Sequence, residues 1–128
     1  MTETSPVRVF LDSMNAGNIP AALAVLSDEL VVCEPEGLLY GGRYVGKQAF
    51  LGMFEIVSKH YTVDITRVDL VPAGDDTLAK VEVTYTSVAT GRKLPTRALE
   101  LYSVADGVIT GIDVFPLDTR ALYDITVG

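Results

Sequence analysis

The chain has 128 residues, 48% of them hydrophobic, and a formal net charge of −7. This length suits one domain with a substantial core, and the acidic balance argues against nucleic acid as a partner, because phosphate backbones require a basic surface. The sequence has no apolar run of the roughly 20 residues that a membrane-spanning helix needs, and Met1 to Pro6 lacks the pattern of a signal peptide. We therefore expect one cytoplasmic domain over residues 1–128, with neither a nucleic acid nor a membrane as partner.

Metal and cofactor sites are not indicated by the residues available. Cys33 is the only cysteine and His60 the only histidine, so the chain can form neither an internal disulfide nor the usual cysteine and histidine set around zinc. The glycines at 41, 42 and 46 lack the spacing of a phosphate-binding loop and do not follow a parallel βαβ pattern. We expect no metal and no cofactor.

The first half of the chain has the pattern of helices. Ser5, followed by a proline, is a good N-cap, and apolar residues then recur at helical spacing until Gly17. Asn18 can cap a second short helix. A third amphipathic helix is predicted from Lys47 to Ser58, after a glycine-rich loop with a short extended piece.

Strands dominate the second half. A short strand is predicted from Leu30 to Glu34, and four longer strands, separated by glycine-containing turns, are predicted near residues 61–65, 81–85, 96–105 and 108–115. Helices followed by antiparallel strands indicate an α+β fold. We expect a curved, mostly antiparallel sheet wrapped around the N-terminal helices and enclosing an apolar pocket.

Three segments resemble members of one superfamily. Residues 7–36, VRVFLDSMNAGNIPAALAVLSDELVVCEPE, are similar to the opening of ketosteroid isomerases. Residues 40–46, YGGRYVG, resemble the Tyr-Gly-Gly-x-Tyr-x-Gly signature of SnoaL-like domains, and residues 106–116, DGVITGIDVFP, resemble the last hairpin of the same superfamily. The resemblance implies the cone-shaped barrel of nuclear-transport-factor-2-like proteins, a fold that hosts isomerases, cyclases, hydrolases and non-catalytic binders.

The same resemblance implies two catalytic acids. Glu34 matches the position of the isomerase's general base, and Glu100 matches that of the neutral acid that donates to the oxyanion. Phe10 stands where the isomerase has its oxyanion tyrosine, and Tyr102, on the same strand face as Glu100, could replace it. Two acids in an apolar pocket would repel each other and lose solvation, which favours one shared proton.

Each acid also has a plainer interpretation. Glu34 could lie at the surface beside the turn at Pro35. Glu100 could be an exposed strand acid that pairs with Arg97 or Lys80. Strand parity decides between these alternatives, because successive side chains point to opposite faces of a sheet.

The predicted substrate-binding residues share an inward position on a helix or strand, or flank the glycine-rich loop. They are Phe10, Met14, Tyr44, Phe50, Met53, Phe54, His60, Val83, Tyr85, Tyr102, Ile112 and Val114. We expect Asp64 and Asp113, which have the opposite parity, to lie outside the pocket, and Tyr40 to cover its mouth.

Two classes of function remain open. The chain is either a cofactor-free isomerase or cyclase that acts on an apolar carbonyl compound of the steroid, terpenoid or polyketide type, or a non-catalytic module that binds a small ligand or a partner. A water-activating hydrolase would need an Asp-Arg-Asp arrangement that the sequence does not match. Apolar residues on the outer sheet face, Leu99, Leu101 and Phe115, favour a homodimer.

Overall fold

The structure is a computed structural model that describes residues 5–127. Its helices are α1 (Pro6–Asn15), α2 (Ile19–Ala24), α3 (Lys47–His60) and α4 (Thr119–Asp124), and its strands are β1 (Leu26–Glu34), β2 (Gly42–Val45), β3 (Tyr61–Ala73), β4 (Asp76–Ser87), β5 (Lys93–Ala105) and β6 (Val108–Pro116). Residues 1–4 and 128, which the predicted single domain includes, lie outside this description. The expectation about a signal peptide falls mostly on those first residues.

The two opening helices begin where the capping residues predict. The Ser5 hydroxyl accepts a hydrogen bond from the Val7 N–H at 3.2 Å, and the Asn18 side chain accepts one from the Ala21 N–H at 3.2 Å. Each cap satisfies a backbone donor that the first turn leaves free. Helix α1 buries Val7, Phe10 and Leu11.

The six strands form one sheet in the order β2-β1-β6-β5-β4-β3. The sheet is curved and does not close into a barrel. All neighbouring strands are antiparallel except β1 and β6, which are parallel. The predicted α+β class, with its mostly antiparallel sheet and its meander of four long strands, is confirmed.

Strands β3 and β4 extend beyond the predicted residues, β3 to Ala73 and β4 back to Asp76, and two further elements differ from the prediction. Strand β1 begins at Leu26, four residues before the predicted start, because β6 supplies pairing partners for it on both sides of an irregularity between Leu26 and Val31. Helix α4 was not predicted, although Asp118 caps it by accepting from the Ala121 N–H at 2.9 Å. A helix of only six residues after the last strand is too short for its apolar pattern to be recognised.

A buried hydrogen bond links helix α4 to strand β3. Leu122 is fully buried, and its carbonyl accepts a 2.6 Å hydrogen bond from the Tyr61 phenol at the start of β3. In the part of the chain described here, no helix has both the length and the apolar character needed to cross a bilayer.

Candidate functional site

A cavity of about 430 Å³ lies between helices α1 and α3 and the inner face of the sheet. Most of its wall is apolar: the helices contribute Phe10, Leu11, Met14, Phe50, Met53, Phe54 and Val57, and the sheet contributes Val32, Val63, Ile65, Ile112 and Val114. Such a wall suits a largely apolar ligand of small-molecule size.

Glu34 and Glu100 both line this cavity, although they come from distant parts of the chain. Glu100 on β5 pairs with Val114 on β6. Cys33 on β1 pairs with Asp113 on β6, and these two strands are parallel. The next residue on β1, Glu34, therefore lies beside Val114, on the opposite side of β6 from Glu100. The two glutamates are therefore two strands apart, a Cα separation of roughly 10 Å that two long side chains can span above Val114.

The carboxyl group of Glu34 is poorly solvated. Its Oε1 atom is buried and has no hydrogen-bond partner among residues 5–127. Burial, and to a smaller extent the charge of Glu100, together raise the pKa of Glu34 to about 8. Glu34 is therefore mostly neutral at pH 7.

Glu100 lies in a different hydrogen-bonding environment. Burial raises the pKa of Glu100, but the phenol of Tyr102 donates a 2.7 Å hydrogen bond to Glu100 Oε1, and this bond lowers the pKa. Tyr102 is 1% exposed and follows Glu100 on the same face of β5. The phenol therefore stabilises the ionised form of Glu100.

Further phenols surround the two carboxyl groups. Tyr40, in the loop before β2, and Tyr85, on β4, both line the cavity. The charge of Glu34 is one of the causes that raise the pKa of each phenol. Burial raises the pKa of Tyr85 to about 12 and raises that of Tyr40 as well. Both groups keep their protons at neutral pH and can donate hydrogen bonds to a ligand oxygen.

Phe10 occupies the position where the resemblance implies a phenol. Its ring lies 5.8 Å from that of Phe50 and 6.1 Å from that of Tyr102. Tyr102 lies near this position, but its phenol already donates a hydrogen bond to Glu100.

The structure brings most of the predicted site residues to the cavity wall. Those that line it are Glu34, Glu100, Phe10, Met14, Phe50, Met53, Phe54, Tyr85, Tyr102, Ile112 and Val114. Neither acid has the exposed position of its plainer interpretation. Glu34 faces the cavity. Glu100 accepts a hydrogen bond from Tyr102, whereas Arg97 and Lys80 are exposed. Asp64 and Asp113 are exposed, as expected.

Three predicted residues lie elsewhere, and these predictions are corrected. The Tyr44 phenol donates hydrogen bonds to the carbonyls of Tyr40 and Gly41 at 3.0 and 3.2 Å. It therefore stabilises the loop before β2 and does not line the cavity. His60 ends α3, where the chain turns into β3 and the next residue contacts the cavity instead. Val83 is 4% exposed and belongs to the hydrophobic core. Side chains on the inner face of the sheet can lie in the core as well as at the cavity, so strand parity alone does not assign Val83 to the site.

Tyr40 is the most informative residue that the sequence did not assign to the site. It was expected to cover the pocket mouth, but it is 4% exposed and lines the cavity. The signal lies in the next residue: a Cβ at Gly41 would lie 2.2 Å from the Pro35 carbonyl oxygen, so only glycine permits this tight turn. The other lining residues not predicted for the site are Leu11, Asn15, Val32, Val57, Ser58, Tyr61, Thr62, Val63 and Ile65.

The described residues contain no group of three or more His, Cys, Asp or Glu side chains that could hold a metal ion together. The polar groups of the cavity are mainly carboxyl and phenol groups. Groups of these two kinds can transfer protons and donate hydrogen bonds.

Solved structures with the same fold cover nearly the whole chain. An NTF2-like protein of unknown function from Burkholderia pseudomallei superposes with a TM-score of 0.88 at 16% identity, covering 96% of this chain and 95% of its own. A Pseudomonas putida protein assigned provisionally as a polyketide cyclase gives 0.83 at 21% identity, covering 100% and 99%. TerC, co-crystallised with polyporic acid, gives 0.86 at 16% identity, covering 94% and 95%.

At these identities the structural likeness establishes the fold alone. No functionally curated protein is significantly similar in sequence. The profile of the SnoaL-like domain, in contrast, matches residues 7–112, which is most of the sequence. The chain therefore belongs to the SnoaL-like domain family, within the nuclear-transport-factor-2-like superfamily.

Proposed function

We propose that this protein is a cofactor-free isomerase or cyclase that binds an apolar carbonyl compound, of the steroid, terpenoid or polyketide type, and moves a proton at the carbon beside the carbonyl. One observation carries the proposal: Glu34 and Glu100 share an apolar cavity, and one of the two has a buried oxygen without a partner. Two neighbouring carboxyl groups in such a place favour a state with one proton between them.

The shared proton gives the pair two complementary roles. The ionised carboxylate takes the α-proton of the substrate, so a C–H bond breaks, an O–H bond forms, and the electron pair moves to the carbonyl oxygen as an enolate. The neutral carboxylic acid donates a hydrogen bond to that oxygen, as a protonated acid in an apolar site can. The phenols of Tyr40 and Tyr85 are further donors.

The enolate then has two outcomes. The carboxylic acid formed from the base returns the proton to another carbon of the conjugated system, which is isomerisation. Alternatively, the enolate carbon attacks a second carbonyl of the same molecule, whose π electron pair moves to its oxygen. That oxygen then takes the proton from the carboxylic acid formed from the base, which completes cyclisation and regenerates the carboxylate. The proposal requires one ionised and one neutral carboxyl group, in either order.

A non-catalytic binding module is the second candidate. It is favoured by Phe10, because a phenol is missing where the resemblance implies an oxyanion donor and the nearby Tyr102 is already engaged by Glu100. Under this alternative the cavity binds its ligand without turnover.

Exchange of α-protons separates the two candidates. The probe is 2-tetralone, an apolar ketone, incubated in D₂O and followed by proton nuclear magnetic resonance (NMR). The wild-type protein should accelerate exchange above buffer, and the double variant Glu34→Gln/Glu100→Gln should lose at least about 100-fold of that rate, the lower end for a positioned base. The double variant should still bind 2-naphthol, measured by fluorescence.

The matched control is Glu55→Gln, which changes an exposed acid on α3 and should exchange at the wild-type rate. A wild-type rate equal to that of buffer, with 2-naphthol still bound, would favour the binding module. A double variant as fast as wild type would remove the two glutamates from the chemistry.

We also propose that the protein forms a homodimer through its outer sheet face. Leu99 and Phe115 pair across β5 and β6 and are 44% and 57% exposed, so they form an apolar surface that a monomer rarely leaves open. Sedimentation velocity should give the mass of a dimer, and Phe115→Asp should give that of a monomer. A monomeric wild-type protein would contradict the proposal.

A further inference from the structure

The two glutamates of the cavity differ in their hydrogen bonds, and this difference bears on their roles. The inference rests on the proposed function, which leaves the order of the roles open. We infer that Glu100 is the base and Glu34 is the neutral hydrogen-bond donor, because Tyr102 donates to the Glu100 carboxylate whereas Glu34 has a buried oxygen without a partner. This order is the reverse of the one that the resemblance to ketosteroid isomerases implies.

The contact between Tyr102 and Glu100 favours a charge on Glu100. An O–H···O bond, here of the ordinary length of 2.7 Å, is stronger when its acceptor is ionised than when it is neutral. The phenol comes from the second residue along the same face of β5, so strand geometry fixes its position relative to the carboxylate. Tyr102 is thus a positioning residue that favours the ionised form of Glu100, against the effect of burial, and orients its carboxylate.

The environment of Glu34 favours the neutral form. An ionised carboxylate accepts hydrogen bonds at both oxygens, and leaving one oxygen buried without a donor is costly. A neutral carboxyl group needs fewer partners and has an O–H to direct toward a ligand oxygen. The elevated pKa of Glu34, raised by burial and by Glu100, agrees with this assignment.

The other groups around the pair do not offset this difference. The ionisable side chains of the cavity wall that interact with Glu34 are Glu100 and Tyr102 on β5, Tyr85 on β4, and Tyr40 in the loop before β2. The wall residues from α1, α3 and β6 have no ionisable side chain within the described part of the chain. No cation there stabilises a charge on Glu34.

Exchange rates in the single variants test the assignment. Glutamine imitates a neutral acid, since it can donate an N–H, but it cannot act as a base. With 2-tetralone at pH 7, Glu34→Gln should lose no more than about tenfold of the exchange rate, whereas Glu100→Gln should lose at least about 100-fold. The opposite ranking, or equal losses, would overturn the inference while leaving the proposed function intact.

The pH profile tests the role of Tyr102. Tyr102→Phe should move the acidic limb of the exchange profile to higher pH, since Glu100 loses a bond that stabilises its ionised form. A merely structural role would lower the rate without moving the limb. An unmoved limb would contradict the positioning role and the inference with it.

Infrared spectroscopy decides the order of protonation without any turnover. A neutral carboxylic acid has a C=O stretching band that a carboxylate lacks. At pH 7 the ligand-free wild-type protein should show this band, Glu34→Gln should remove it, and Glu100→Gln should keep it. The reverse result would overturn the inference even if the protein catalyses no exchange, and either variant suffices if the other fails to fold.

Discussion

Tyr102 and Glu100 leave β5 on the same face, two residues apart, and the phenol of the first donates a 2.7 Å hydrogen bond to the carboxylate of the second. The bond lies at the wall of an otherwise apolar cavity. A strand thereby supplies both a carboxylate and the donor that stabilises it, with no contribution from a distant element.

Loss of this bond should destabilise the protein. Tyr102→Phe leaves Glu100 without its donor, and a hydrogen bond to a charged group contributes about 1.5–3 kcal/mol. Urea unfolding at pH 7 should show a loss of this size in the free energy of unfolding. At pH 4 the loss should be smaller because Glu100 is then neutral; an equal loss at both pH values would show that the bond does not involve a charge.

Stability should fall as the pH rises from about 5 to about 8. The folded-state pKa of Glu34 is about 8, above the ordinary value of 4.5, so the folded protein retains a proton that the unfolded chain releases over this interval. The raised pKa of Glu100 acts in the same direction. The stability due to Glu34 is complete below pH 4.5 and is lost as the pH passes 8, a change on the order of a few kcal/mol.

Chemical denaturation across this pH range measures the effect. Glu34→Gln should flatten the dependence, because the amide does not titrate, whereas Glu55→Gln, which changes an exposed acid, should keep it. A wild-type stability that is constant or rises with pH over this interval would contradict the burial of a neutral Glu34.

Helix α4 should depend on the phenol of Tyr61. Tyr61→Phe leaves the buried Leu122 carbonyl without its 2.6 Å donor, at a cost of about 1–3 kcal/mol. Thermal and urea unfolding should both show this loss. Tyr123→Phe, at a residue 46% exposed on the same helix, should leave stability unchanged; equal effects of the two variants would mean that the Tyr61 bond has no specific role.

Gly41 should be irreplaceable in the loop that carries Tyr40. In Gly41→Ala the new methyl group would lie 2.2 Å from the Pro35 carbonyl oxygen, so the backbone must move, at a cost of about 1–3 kcal/mol. Displacing Tyr40 should also weaken 2-naphthol binding. Gly52→Ala in α3 meets nothing within 4 Å and should stabilise the protein by about 0.5–1 kcal/mol; a tolerated Gly41→Ala would contradict the close approach.

The sequence allowed much of the fold to be predicted, because its signals are local. Ser5 and Asn18 cap the helices they were expected to cap. The alternation of side chains along β5 is sufficient to predict that Glu100 and Tyr102 share one face. Such inferences succeed where one element contains the whole signal.

The rest depends on contacts between distant elements. The parallel pairing of β1 with β6, which places Glu34 beside Val114, cannot be recognised from the sequence of either strand alone. Parity could not separate Val83 in the core from Tyr85 at the cavity, since both point inward. Tyr40 reaches the cavity only because the turn at Gly41 brings the chain close to Pro35.

The most direct test of the central claim is a carboxyl-carbon NMR titration of the ligand-free protein with ¹³C-labelled glutamate. Glu34→Gln and Glu100→Gln provide the assignments. We predict that the wild-type protein shows one glutamate, Glu34, that keeps its proton until about pH 8, beside a second that ionises at lower pH. Ionisation of both groups between about pH 4 and pH 5, as for carboxyl groups in water, would contradict the account.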